Sequence, residues 1–96
     1  MAAIIQFTRG LAIEGTRDAI RANTITPSLV EGTPLTGRLM EEGTFTAKLC
    51  AKARPLAGLG ATWPEDITAL AVFLACPTAA RITGQAVSLN GGISAA

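Results

Sequence analysis

Chemistry in this chain would have to come from very few side chains. The 96 residues contain no histidine and no tyrosine. Serine and threonine are plentiful, but a nucleophile needs a positioned base. With no histidine and no Gly-x-Ser-x-Gly elbow, a hydrolase with an unrecognised site is carried only as a further alternative. Glu41 and Glu42 are adjacent, so on a helix they would point about 100° apart. They read as a solvated face rather than an acid/base pair. Glu65 and Asp66 fall in the first turn of an expected helix, where the dipole favours acidic side chains. Lys48 and Lys52 lie in an irregular stretch. Cys50 and Cys76 are far apart and offer no zinc spacing. Two buried free thiols of a cytoplasmic protein are expected in preference to a disulfide. Gly58-Leu59-Gly60 matches half of a dinucleotide fingerprint, but no strand precedes it and no third glycine follows, so a flexible turn is expected. No catalytic residue and no metal site is therefore expected.

The bulk numbers describe one small α/β unit. Hydrophobic residues make up 49% and charged residues 16%, which is not a disordered composition. It is apolar enough to suggest that another chain covers part of the surface. A net charge of +1 gives no electrostatic reason to favour nucleic acid or an anionic membrane. No apolar run reaches the ~18 residues of a transmembrane helix, and the start lacks the pattern of a secretory signal.

The elements come in the order helix, strand, long irregular stretch, helix, strand. Residues 1–15 read as a helix with Ile4, Phe7 and Leu11 as its inward stripe, widened by Ile5 and Ala12. Gly15 is its expected stop. It has no capping residue before it, as though cut from something longer. Residues 20–26 alternate as a strand ended by Pro27, which cannot donate to a ladder. Residues 28–61 are rich in glycine and proline, with short helices conceivable at 35–39 and 45–53. Residues 62–76 read as a second helix. Thr62 and Glu65 have capping-box spacing, and Pro64 suits a first turn. Ile67, Leu70, Ala71 and Leu74 form one face, and Val72 with Phe73 suggests that a second face is also covered. Residues 86–90 form a last short strand before Asn90-Gly91-Gly92. A strand–helix–strand crossover of this kind is right-handed with parallel strands. The expected fold is a single partial domain of the doubly wound, Rossmann-like α/β type, two parallel strands with helices on both faces. So small a sheet leaves edges that need a cover.

Several stretches together carry a family resemblance: Ala2 to Ala12, then Asn23-Thr24-Ile25-Thr26-Pro27-Ser28-Leu29-Val30, then Pro64-Glu65-Asp66-Ile67, Ile82-Thr83-Gly84-Gln85 and Asn90-Gly91-Gly92. The chain resembles the carboxyl-terminal part of a short-chain dehydrogenase/reductase from about Ala2 to Gly92. The Gly-rich cofactor turn and the Tyr-x-x-x-Lys pair of that family are absent, and Met1 falls where the catalytic lysine would stand. The resemblance implies that Pro27, Ser28 and Val30 meet the nicotinamide end of NAD or NADP, with Thr33 bonding its carboxamide or pyrophosphate. It also implies that 28–61 is a substrate-type loop. Ser28 stands where glycine is usual, Gly32 adds a residue before Thr33, the approach 58–64 is longer than usual, and Asn90 replaces an aspartate.

The resulting expectation is a carboxyl-terminal fragment of an NAD(P)-dependent oxidoreductase acting on a small alcohol or ketone. It would supply the substrate loop, part of the nicotinamide pocket and subunit contacts, and would not be catalytically competent alone. Its partners would be copies of itself or the missing amino-terminal half, and not nucleic acid or a membrane. The alternative is a non-catalytic, self-associating interaction module. Trp63 fits either an interface anchor or a staple on the helix start. Asn23 is expected to tie its strand to a neighbouring loop.

Overall fold

The computed structural model describes residues 1–95. Its helices are α1 (Ala2–Gly15), α2 (Pro34–Leu39), α3 (Phe45–Ala53) and α4 (Pro64–Ala75), and its strands are β1 (Thr24–Pro27) and β2 (Ala86–Leu89). The strands pair with each other in one parallel sheet, giving the α/β class expected. The chain divides into two compact units: residues 1–26 with 69–88, and residues 27–68 with 89–96. No helix among the described residues is long and apolar enough to cross a membrane.

In the first unit, β1 is shorter than the expected strand 20–26, and the cause is local. A 3-10 turn over Thr16–Asp18 ends at Ala19, which takes a left-handed φ of 56°. The Ile20 amide then donates to Gly15 O at 2.9 Å. The Asn23 side chain occupies the place of ladder bonds: its Nδ2 donates to Ile82 O at 3.0 Å and its Oδ1 accepts from the Gln85 amide at 3.1 Å. Regular pairing starts only at Thr24, whose amide donates to Gln85 O at 2.8 Å. Asn23 thus ties strand to loop as expected.

The inward stripe of α1 is rotated from the expected one. Ala12 and Gly15 are buried, and Ile5 and Thr8 are half-buried. Ile4, Phe7 and Leu11 are exposed, Phe7 by 68%. Ile5 and Ala12, expected to widen the stripe, do face inward, Thr8 and Gly15 complete that side, and a Cβ on Gly84 would lie 3.4 Å from Ala12 Cβ. Small side chains allow that close approach, whereas the bulky stripe finds no element of the unit to cover it. Nor is α4 covered on two faces: Leu74 is buried, but Val72 and Phe73 are exposed. The apolar core of this unit is Ala12, Leu74 and Ala79, and Thr24 of β1 is its buried polar residue.

The second unit holds the stretch expected as a loop, and it carries α2 and α3. Threonine hydroxyls start both helices: Thr33 accepts from the Thr36 amide and Thr44 from the Ala47 amide, each at 3.2 Å. Each satisfies an amide that the first helical turn leaves without a partner. The start of α4 differs from the expected Thr62–Glu65 box. Asp66 Oδ2 instead accepts from the Trp63 amide at 2.8 Å, while Thr62 Oγ1 donates to Leu89 O at 2.9 Å. The capping pair is therefore shifted by a residue, because Thr62 is already engaged elsewhere. Among the described residues of this unit the buried side chains are Thr36 and Thr62, both hydrogen-bonded.

Candidate functional site

The site develops where β1 ends. Pro27 is the last residue of the strand, and the chain turns through Ser28 and Leu29 into Val30. Val30 forms an isolated parallel bridge with Thr62, and the Glu31 amide donates to Thr62 O at 2.8 Å. Val30 O accepts from Thr33 Oγ1 at 3.0 Å and also from Thr36 Oγ1. Two hydroxyls from the start of α2 thus hold the turn. Gly32 follows with φ +75°, and a Cβ there would lie 3.2 Å from the Trp63 ring. The extra residue seen in the sequence is absorbed as a left-handed step against that indole.

A cavity of about 450 Å³ lies within this unit. Its walls come from Ser28 and Leu29 of the turn, Cys50 and Ala53 of α3, Ala57, Ala61, Trp63 and Ile93. Glu31 and Arg54 are its charged members, paired at 2.5 Å, and Arg54 also reaches Met40 Sδ at 2.9 Å. The floor near Ala57 is held by a close approach: Gly91 O accepts from the Leu59 amide at 3.0 Å, and a Cβ on Gly91 would lie 2.5 Å from Gly60 O. Gly58-Leu59-Gly60 is a turn with Leu59 exposed, not the opening of a helix.

Of the four residues assigned to the cofactor, Ser28 lines the cavity, Pro27 ends the strand, Val30 is bridged to Thr62, and Thr33 caps α2. The Thr33 hydroxyl has a single proton to donate and two lone pairs, and Val30 O, Thr36 Oγ1 and the Thr36 amide already lie within 3.0–3.2 Å of it. A further N–H, such as that of a carboxamide, would be accepted there only by displacing Thr36 Oγ1, so the residues present fit the nicotinamide end of a dinucleotide in part. Sequence reasoning did not single out Glu31 and Arg54 as a pair, since 23 positions separate them and no periodicity links them. A second cavity, of about 290 Å³, lies in the first unit beside Arg21, Asn23 and Leu74. Its polar members are engaged, with Arg21 donating to Ile82 O and Cys76 O at 3.3 and 3.4 Å. The cysteines are free and half-buried.

Comparison with known proteins places this geometry. A family profile described as enoyl-(acyl carrier protein) reductase matches residues 1–94. A tropinone reductase homologue of Arabidopsis thaliana is 39% identical over 92 residues, which is 96% of this chain and 34% of that protein. A second such homologue from the same plant is 36% identical and is covered over 29% of its length. The crystal structure of the TT0495 protein from Thermus thermophilus superposes with a TM-score of 0.86 at 33% identity, over 99% of this chain and 38% of that one. A 4-hydroxyisoleucine dehydrogenase mutant complexed with NADH and succinate gives a TM-score of 0.83 at 27% identity, over 99% of this chain and 37% of that one. The chain thus spans about a third of the length of the curated relatives it matches. With the motifs, the parallel strand pair and these matches in agreement, the chain belongs to the short-chain dehydrogenase/reductase family and corresponds to its carboxyl-terminal third.

Proposed function

We propose that this chain supplies the substrate side of an NAD(P)-dependent oxidoreductase acting on a small alcohol or ketone. The observation that carries the reading is the turn Pro27–Val30 opening onto a mostly apolar cavity walled by α3. When bound, the nicotinamide would give or take the hydride. Ser28 and Leu29 would border the ring side, Thr33 would accept from the carboxamide, and α3 with Trp63 would keep water from the substrate carbon. With no tyrosine in the chain, the proton at the alcohol oxygen must be handled by a group from elsewhere. The chain alone is therefore not catalytically competent. The half-buried free cysteines support a reducing, cytoplasmic setting.

The test is a chimaera in which this chain replaces the matching third of the Arabidopsis homologue. It should bind NADH or NADPH, read by nucleotide fluorescence, and Thr33→Val should weaken binding by about tenfold for the loss of a carboxamide hydrogen bond. A folded chimaera that binds neither nucleotide would overturn the reading.

A second reading is favoured by α1. Ile4, Phe7 and Leu11, which share one face, are exposed by 44–68%, an apolar stripe that monomeric proteins rarely leave open. In this reading the helix packs on another copy of the chain or on the amino-terminal part of a family member. Sedimentation equilibrium should show a dimer or larger species that Phe7→Lys dissociates. A well-folded monomer at all concentrations would sink it.

A further inference from the structure

We propose that the Glu31–Arg54 pair sets the ligand selectivity of the 450 Å³ cavity, admitting uncharged apolar alcohols or ketones and rejecting both carboxylates and amines. This rests on the reading of the cavity as the substrate side of the site. The volume suits a ligand of ring size or larger. Leu29, Ala53, Ala57, Ala61, Trp63 and Ile93 give it apolar walls. Within them Glu31 and Arg54 neutralise each other, and their exposures differ: the Glu31 side chain is 15% exposed and Arg54 46%. The carboxylate is thus the more desolvated partner and depends on the guanidinium. An incoming carboxylate would approach Glu31 as a like charge or compete with it for Arg54. An incoming amine would compete with Arg54 for Glu31. A neutral hydroxyl or carbonyl disturbs neither.

Trp63 is the only tryptophan of the chain and lines the cavity, so its emission reports occupancy directly. The experiment titrates the full chain near neutral pH with 1-adamantanemethanol, 1-adamantanecarboxylate and 1-adamantanemethylamine, which share one apolar skeleton and differ in charge. The alcohol should bind at least about tenfold more tightly than either ion, the scale expected of an uncompensated like charge. Glu31→Gln should bring the carboxylate level with the alcohol or beyond it, and Arg54→Gln should do the same for the amine. The alcohol itself should change by less than about threefold, since it uses neither charge. If the alcohol binds but wild type does not discriminate, or if folded variants keep the wild-type ratio, the selectivity inference falls and the site reading stands. If no compound moves Trp63 emission in folded protein, the cavity is not a binding site and both fall. Should both variants lose their far-UV dichroism, the wild-type ratio decides.

Discussion

Gly91 is the residue at which one methyl group should do most damage. It holds φ +64°, and a Cβ there would lie 2.5 Å from Gly60 O and 3.1 Å from Ala57 Cβ. Gly91→Ala meets two costs. The left-handed conformation costs alanine about 1 kcal/mol more than glycine. The contact with Gly60 O is shorter than real Cβ atoms tolerate, and its partner is backbone, so a segment must move. The tie in the way is the Leu59 amide to Gly91 O bond of 3.0 Å, whose loss costs about 1 kcal/mol. Together the expected destabilisation is about 2–3 kcal/mol, a large share of what holds a domain this small. Gly10→Ala is the contrast: it sits inside α1 with nothing within 4 Å of its built Cβ, so it should stabilise by about 0.5–1 kcal/mol. Urea unfolding followed by far-UV dichroism measures both, and because Ala57 and Trp63 line one cavity, Gly91→Ala should also shift Trp63 emission without denaturant. If the two substitutions change the midpoint in the same direction, or Gly91→Ala changes nothing, the close approach at Gly60 is not a real constraint.

Three further substitutions test the first unit. Asn23→Ala removes the bonds to Ile82 O and from the Gln85 amide, for about 2 kcal/mol at ~1 kcal/mol each; exchange of the Gln85 amide should accelerate, and unchanged exchange would mean that the side chain does not stand in for the ladder. Thr24 Oγ1 is buried with no partner among the described residues, so Thr24→Val should raise stability by about 1 kcal/mol, and a fall instead would reveal a bound water. Ala19, left-handed at φ 56°, should tolerate glycine with a gain of up to about 1 kcal/mol, read from the thermal midpoint.

Much of the fold was legible in residue order. The helices at 2–15 and 64–75 follow from apolar spacing and from Pro64, and the short helices at 34–39 and 45–53 start at Thr33-Pro34 and Thr44, a threonine cap signal the sequence carries openly. On α1 the spacing marks Ile5 and Ala12 as inward, which they are, but Ile4, Phe7 and Leu11 are exposed, because apolar periodicity shows which side could be buried and not whether the unit supplies a cover for it. The Thr62–Glu65 box failed because a hydroxyl serves whichever acceptor is nearest, and for Thr62 that is Leu89 O. Of the motif residues Ser28 lines the cavity and Thr33 does not, whereas Glu31 and Arg54 meet only through the tertiary course of α2 and α3, which no local pattern encodes.

The composition of the buried set has a thermodynamic consequence. Among the described residues only Ala12, Leu74 and Ala79 are buried apolar side chains, while Thr36 and Thr62 are buried through hydrogen bonds. Melting such a chain hydrates little new hydrocarbon and some polar surface, and these two contributions to the heat capacity oppose each other. Calorimetry should therefore give an increment below the usual ~12–15 cal/mol/K per residue, with a broad endotherm. If a partner covers Phe7 and Leu11, its addition should give a sharper, steeper endotherm, as that hydrocarbon leaves water.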